Sequence, residues 1–285
     1  MKYASASAFR QALEDRLRRD YPRRQIPRLR KMIAFERFMV RLDDDWVLKG
    51  GYALQLRTER ARTTQDIDLL ARPVVADDIF ERLVQQLRRD MGDYFSFTMV
   101  RSPSDLNLGG ATRFRVTSRV DGRVFERFHV DVGTGDNVVD PIEYLAPPQL
   151  LSFAEIAAEP FPCYPITQHI AEKLHAMLQS RAVENSRVKD LIDVLLLAEM
   201  QTSIEATRLR AATVAVFDAR KHVVPTHLNS FPRSWERQFR RMATEIDLAY
   251  KDLEEATKAV RLFIDPVLSG TAVGTWDPES WQWQA

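Results

Sequence analysis

The chain has 285 residues, 45 % of them apolar, enough to bury one large core or two. Its 41 Lys and Arg residues nearly cancel 40 Asp and Glu, so the net charge of +1 argues against a uniformly basic coat or an acidic tail. No apolar run reaches the ~18 residues of a membrane span, no apolar signal core follows Met1, and a single cysteine, Cys163, excludes internal disulfides and cysteine-cluster zinc sites. The expectation is a globular, soluble, cytoplasmic protein without a membrane partner.

Along the first forty residues, Phe9, Leu13 and Leu17 recur at helical spacing, and a second apolar stripe at Leu29, Met32, Ile33 and Phe38 follows Pro22 and Pro27. Trp46-Val47-Leu48 reads as a short strand, Gly50-Gly51 as a turn, and Tyr52 to Leu56 as a short helix. Ile67 to Leu70 forms a second strand, and Ile79, Leu83 and Leu87 place a helix over about 77–89. Residues 95–100, 113–116 and 124–132 alternate as strands do, the last two joined through the hairpin signal Asp121-Gly122. From about 140 to 265 the pattern is nearly all helical, broken by prolines. The organisation expected is a basic helical segment over 1–40, a mixed α/β domain over 41–145 and a helical domain over 146–285.

The stretch with the most chemistry is Lys49-Gly50-Gly51-Tyr52-Ala53-Leu54-Gln55-Leu56-Arg57, followed by Thr64-Gln65-Asp66-Ile67-Asp68-Leu69. A glycine pair between strand and helix lets backbone approach a ligand closely, with free N–H groups suited to nucleotide phosphates. Asp66 and Asp68, two apart on a strand, project from one face, where they repel unless a cation sits between them; magnesium prefers such hard oxygen donors. Asp131 lies in Phe128-His129-Val130-Asp131-Val132, where alternation turns the apolar residues inward and leaves Asp131 and His129 on the opposite face. It either completes a two-metal clamp or, at a strand end, caps the turn Gly133-Thr134-Gly135. Lys173, on a helix over 167–179, either lays its stem on the core and offers its ammonium to a phosphate or is an ordinary solvated lysine. Asp190 and Asp193 lie one turn apart among apolar neighbours, so they need partners, with Arg187, Lys189 and Lys173 as candidates.

The two motifs and the later segments Glu172-Lys173-Leu174-His175-Ala176 and Arg187-Val188-Lys189-Asp190-Leu191-Ile192-Asp193 resemble the AbiEii/AbiGii-type nucleotidyltransferase toxins of bacterial toxin–antitoxin and phage-defence systems, within the DNA polymerase β-like superfamily. The likeness runs over about 45–200, with Tyr52 standing where that family most often has a small hydroxyl residue. It implies an α+β fold: a polymerase-β-like domain with a mixed sheet flanked by helices, followed by an α-helical domain, with the active site in the cleft between them. It also implies metal-dependent transfer of a nucleoside monophosphate from an NTP to the 3′ end of tRNA, halting translation. Two magnesium ions would be held by Asp66, Asp68 and Asp131; Lys49, Gly50, Gly51 and Lys173 would hold phosphates, with Arg57 beside them; Asp190 would act as or orient a base. A cognate antitoxin is the implied partner, and some such toxins are silenced by phosphorylation near the position of Thr63 and Thr64. The same carboxylates would equally serve transfer to a protein or a small molecule, and a non-catalytic nucleotide-binding protein is the alternative from another class.

Charge is segregated. Residues 16–31 hold eight bases and one acid, a net +7, and the density of arginine there (Arg18, Arg19, Arg23, Arg24 and Arg28 among them) points to RNA phosphates. Residues 231–241 carry a net +3 (four bases, one acid), with Trp235 and Phe239 four apart. Those aromatics either stack on bases or face the core of an amphipathic helix. Trp276, Trp281 and Trp283, near the end of the sequence, are expected to dock on the body as an apolar tie.

Overall fold

A computed structural model describes residues 2–58, 60–72, 79–101, 111–179, 187–200 and 203–285. Two compact units emerge, each drawing on separate stretches of sequence: one from residues 1–56, 63–135 and 144–163, the other from 57–62, 136–143 and 164–285.

The first unit opens with α1 (Ala6–Asp20), whose first turn is capped by the Ser5 hydroxyl accepting from the Ala8 N–H, and α2 (Ile26–Met39), with Pro27 in its first turn where no N–H is missed. β1 (Trp46–Lys49), α3 (Gly50–Arg57), β2 (Asp66–Ala71) and α4 (Ile79–Leu87) follow. The start of the helix expected from 77 lies outside the described residues. β3 (Phe95–Arg101), β4 (Ala111–Val120) and β5 (Arg123–Thr134) form a meander; Asp121 and Gly122 make the β4–β5 turn with φ of 55° and 66°. Two three-residue strands complete the sheet, β6 (Glu143–Leu145) and β7 (Phe161–Cys163), in a stretch whose prolines and apolar residues read as helical country. β7 is uniformly buried Phe-Pro-Cys, so it carries no alternation by which a strand is recognised.

The sheet order is β3-β4-β5-β2-β1-β7-β6, mixed: β2 runs parallel to β5 and antiparallel to β1, and β1 runs parallel to β7. One face is apolar. Ile67, Leu69, Phe114, Val116, Phe128, Val130 and Val132 are buried there beneath α1 and α2, with Phe35 and Phe38 edge-on to Phe128 at 4.9 and 5.7 Å. Alternation leaves the other face polar at the middle strands. A buried ion network braces this unit. Arg41 holds Asp93 with two bonds of 2.7 and 2.9 Å, Arg37 adds a third of 2.7 Å, and Glu36 lies 3.4 Å from Arg37.

The second unit is helical: α5 (Ile166–Leu178), α6 (Val188–Ala198), α7 (Ala206–Ala219), α8 (Glu236–Glu245) and α9 (Leu253–Ser269), then a two-stranded hairpin, β8 (Thr275–Asp277) and β9 (Gln282–Gln284). α5 packs on α6 and α7, and α6 on α8 and α9. The tryptophans dock as expected, each indole N–H donating to a helix carbonyl: Trp276 to Ala198, Trp281 to Ala259, Trp283 to Phe263. Among the described residues no helix is long and apolar enough to cross a membrane.

Candidate active site

The register of the sheet builds the site. Lys49 on β1 stands opposite Asp68 on β2, Asp68 opposite Asp131 on β5, and Asp131 opposite Arg113 on β4. Paired positions share a face, so four strands present one row of side chains signed plus, minus, minus, plus. Two residues back along β2, a second row holds Asp66, His129 and Arg115. The three carboxylates singled out in the sequence therefore lie on one polar face, and Asp131 is an interior strand residue rather than the cap of a strand end.

Arg113 holds the face together. Its Nε and Nη2 each donate to Asp131 at 2.6 Å, and Nη2 lies 3.7 Å from Asp66. His129 Nδ1 is 3.2 Å from the other oxygen of Asp66. Arg113 thus supplies the positive charge that two neighbouring carboxylates require. Neither its role nor that of His129 was assigned from sequence; the parity of Arg113-Phe114-Arg115-Val116 puts both arginines on a polar face, but only the register sets Arg113 across from Asp131.

The glycine pair is set by contact as much as by conformation. Gly50 has a φ of +66°, and a Cβ there would fall 2.0 Å from an Asp68 carboxylate oxygen, so that carboxylate lies against the backbone at the start of α3. A Cβ on Gly51 would meet the Thr64 hydroxyl at 2.7 Å. Thr64 is buried and donates to the Asp66 carbonyl, while Thr63 is exposed. The Lys49 ammonium reaches over β5, 3.0 Å from where a Cβ on Gly133 would sit. Tyr52 does not replace the small hydroxyl of the resembled family: it is fully buried, edge-on to Phe35, with its hydroxyl donating to the Met32 carbonyl at 3.5 Å.

The residues quoted from the later segments meet in the second unit. Lys173 donates to Asp193 at 2.6 Å and Asp190 at 3.2 Å; Arg187 reaches Asp190 at 3.0 Å and Arg62 reaches Asp193 at 3.2 Å. Burial alone would lower the Lys173 pKa, but the Asp193 and Asp190 carboxylates outweigh it and hold the ammonium charged. Burial likewise pushes Asp193 up, and Lys173 and Arg62 bring it below the usual carboxylate range. His169, one turn before Lys173, is fully buried and held neutral by burial and the Lys173 charge; neither ring nitrogen has a hydrogen-bond partner among the described residues. Arg57, at the end of α3, has a side chain only 3 % exposed, which clamps Glu143 at 2.7 Å and the Tyr164 carbonyl at 2.6 Å. Asp193 was read from sequence only as a buried carboxylate in need of a partner, which Lys173 and Arg62 supply; Arg62 and His169 were not singled out, because nothing local separates them from ordinary loop and helix residues.

The family model of the AbiEii nucleotidyltransferase toxins, of type IV toxin–antitoxin systems, matches residues 35–266. The chain belongs to this family. The AbiEii chain is also similar in fold to MenT4, a nucleotidyltransferase toxin from Mycobacterium tuberculosis H37Rv, at a TM-score of 0.53 and 16 % identity over 94 % of this chain and 99 % of that one. JHP933 from Helicobacter pylori is similar at a TM-score of 0.48 and 13 % identity, over 85 % of this chain and 90 % of that one. No curated protein sequence matches. The α+β class, with a mixed sheet flanked by helices and a helical second part, is the fold this AbiEii protein has.

Proposed function

We propose that this AbiEii protein is a magnesium-dependent nucleotidyltransferase that moves a nucleoside monophosphate from an NTP to the 3′ end of tRNA in the cytoplasm, and that a cognate antitoxin restrains it. The observation that carries the reading is the convergence of Asp66, Asp68 and Asp131 on one sheet face against the Gly50-Gly51 turn. Among the described residues no His, Cys, Asp or Glu cluster is already drawn together as a chelate. The donor set nevertheless fits a hard divalent cation: all three side chains are carboxylates on a shared face, and their mutual charge is held by the guanidinium of Arg113.

Asp66, Asp68 and Asp131 would hold the magnesium. A metal held by them would supply acidity to an attacking hydroxyl and compensation for charge on the leaving pyrophosphate. The N–H groups opening α3 and the Lys49 ammonium bind triphosphate oxygens, and Gly50, having no Cβ, lets Asp68 and the phosphates approach the same backbone. Phosphate contact by Lys173 and a base role for Asp190 belong to the same proposal. The tRNA acceptor rests on family resemblance.

The test is incubation with magnesium, each labelled NTP in turn, and total tRNA. Label on tRNA 3′ ends, lost about 10³-fold in Asp68→Asn, is the expected result. Label on protein instead of RNA replaces the acceptor with a polypeptide, and no label with any NTP overturns the enzymatic reading.

A further inference from the structure

The second unit carries an arginine-lined cavity that the catalytic reading does not use. It measures about 680 Å³ and is bounded by Arg233, Arg237, Arg240 and Arg241, the hydroxyls of Ser234 and Thr244, and one carboxylate, Glu236. No apolar residue lines it. Trp235 and Phe239, which the sequence left open as base-stacking surfaces, are buried at 4 % and 0 % exposure, and Phe231 stacks on Trp235 at 5.1 Å. The aromatics of this segment thus face the core, and the arginines are all exposed. Glu236 pairs with Arg240 at 3.0 Å; Arg233, Arg237 and Arg241 have no acidic partner among the described residues.

The N-terminal segment, with its larger formal charge, contrasts with this. Arg16 is bonded to Asp20 at 3.3 Å and Arg19 to the same Asp20 at 2.7 Å, while Arg18 faces Glu14 and Asp15 at 3.9 and 3.6 Å. Arg30 is half-buried between Glu14 and Glu126, and donates to the Phe125 carbonyl at 2.6 Å. Folding has spent half of the eight bases of residues 16–31 on acids of the same unit.

We propose that the α8 cavity binds the phosphate backbone of an RNA strand. Charge complementarity favours a polyanion, since four arginines here face a single carboxylate. A polynucleotide needs only donors along a track, and Arg233, on the 3₁₀ turn that leads into α8, is followed at four-residue intervals by Arg237 and Arg241 on α8 itself. The adjoining cavity of about 690 Å³ shares Arg233, Glu236 and Arg240 and adds Lys258 and Arg261, but also Asp252 and Glu254, so its excess of positive charge is smaller than that of the first. This deepens the RNA reading above by naming a surface for the acceptor.

Binding is measured without magnesium or NTP, so its outcome is independent of catalysis. Fluorescence anisotropy with end-labelled bulk tRNA compares the whole protein with Arg233→Gln/Arg237→Gln/Arg241→Gln and with Arg18→Gln/Arg19→Gln/Arg23→Gln/Arg24→Gln. The α8 variant is expected to lose about tenfold or more in affinity at about 100 mM salt, and the slope of log K against log salt to fall by about 2. The N-terminal variant is expected to lose under about threefold. All substituted side chains are exposed, and matching thermal midpoints check that both variants fold. Unchanged affinity in the α8 variant overturns the proposal, as does the larger loss in the N-terminal one. Loss of inorganic tripolyphosphate binding, or of poly-glutamate binding, with tRNA affinity retained also overturns it.

Discussion

Gly50 joins two requirements that are usually met by different residues. Its φ of +66° already disfavours a side chain, and the Asp68 carboxylate occupies the space a Cβ would take. Gly50→Ala must shift either the turn or the carboxylate, so nucleotide transfer is expected to fall at least about 10²-fold. A far-ultraviolet spectrum of the variant, unchanged from the parent, checks that the loss is local. Arg113 makes the opposite kind of prediction. Since its guanidinium sits on Asp131 and within 3.7 Å of Asp66, it competes for the charge a cation would meet. Arg113→Gln is therefore expected to tighten Mn²⁺ binding about tenfold, read by calorimetry without nucleotide. Weaker binding would make Arg113 an organiser of the carboxylates instead. Asp66 and Asp68 were legible because a strand's period of two puts them on one face whatever the fold around them. Arg113 was not, because its importance is a matter of register between strands, which alternation along one strand does not contain.

Among the elements, α2 carries a pH-dependent liability. Burial pushes the Glu36 pKa up to about 7, against the opposing charge of Arg37. A carboxyl protonated more readily when folded than unfolded contributes stability that is whole below about pH 4.5 and lost as pH rises toward 7. Glu36→Gln removes that dependence: it is expected to raise the thermal midpoint at pH 8, by at most about 3 kcal/mol of stability, and to change little at pH 4.5. Asp93, two ion pairs away, has the reverse sense, since Arg41 and Arg37 overcome its burial and hold it low; its contribution disappears in acid. The C-terminal hairpin is the other element with a measurable share. Trp276 is 3 % exposed, donates to Ala198 and lies 4.6 Å from the Phe263 ring. Trp276→Ala is expected to cost about 3–5 kcal/mol, seen as a lower urea midpoint for the helical unit. Docking of the tryptophans could be anticipated from composition alone, as three indoles within eight residues leave little else for them to do. β6 and β7 could not, being too short to show a period.

For the molecule as a whole, net charge proved a poor guide to partners. Near-neutrality conceals a sheet face on which three carboxylates meet Lys49, Arg113 and Arg115, an N-terminal segment half paired within its own unit, and an arginine-lined cavity beside α8. The sequence could locate arginine, but only folding determines which arginines are already matched to acids; Arg30 and Arg233 look alike until Glu14 and Glu126 are seen beside one of them. The parallel pairing of β2 with β5 bears on when the protein becomes dangerous. Asp66 and His129 face each other across 63 positions of chain, and Asp68 and Asp131 across the same gap. Joining strands so far apart in sequence is slow compared with closing a hairpin, and it cannot begin on the ribosome until β5 has been synthesised. A fragment ending at Val120 would hold the glycine turn and two carboxylates but neither Asp131 nor the strand that carries it. Interrupted synthesis would therefore leave a product without the three-carboxylate face, which exists only once β5 has joined the sheet.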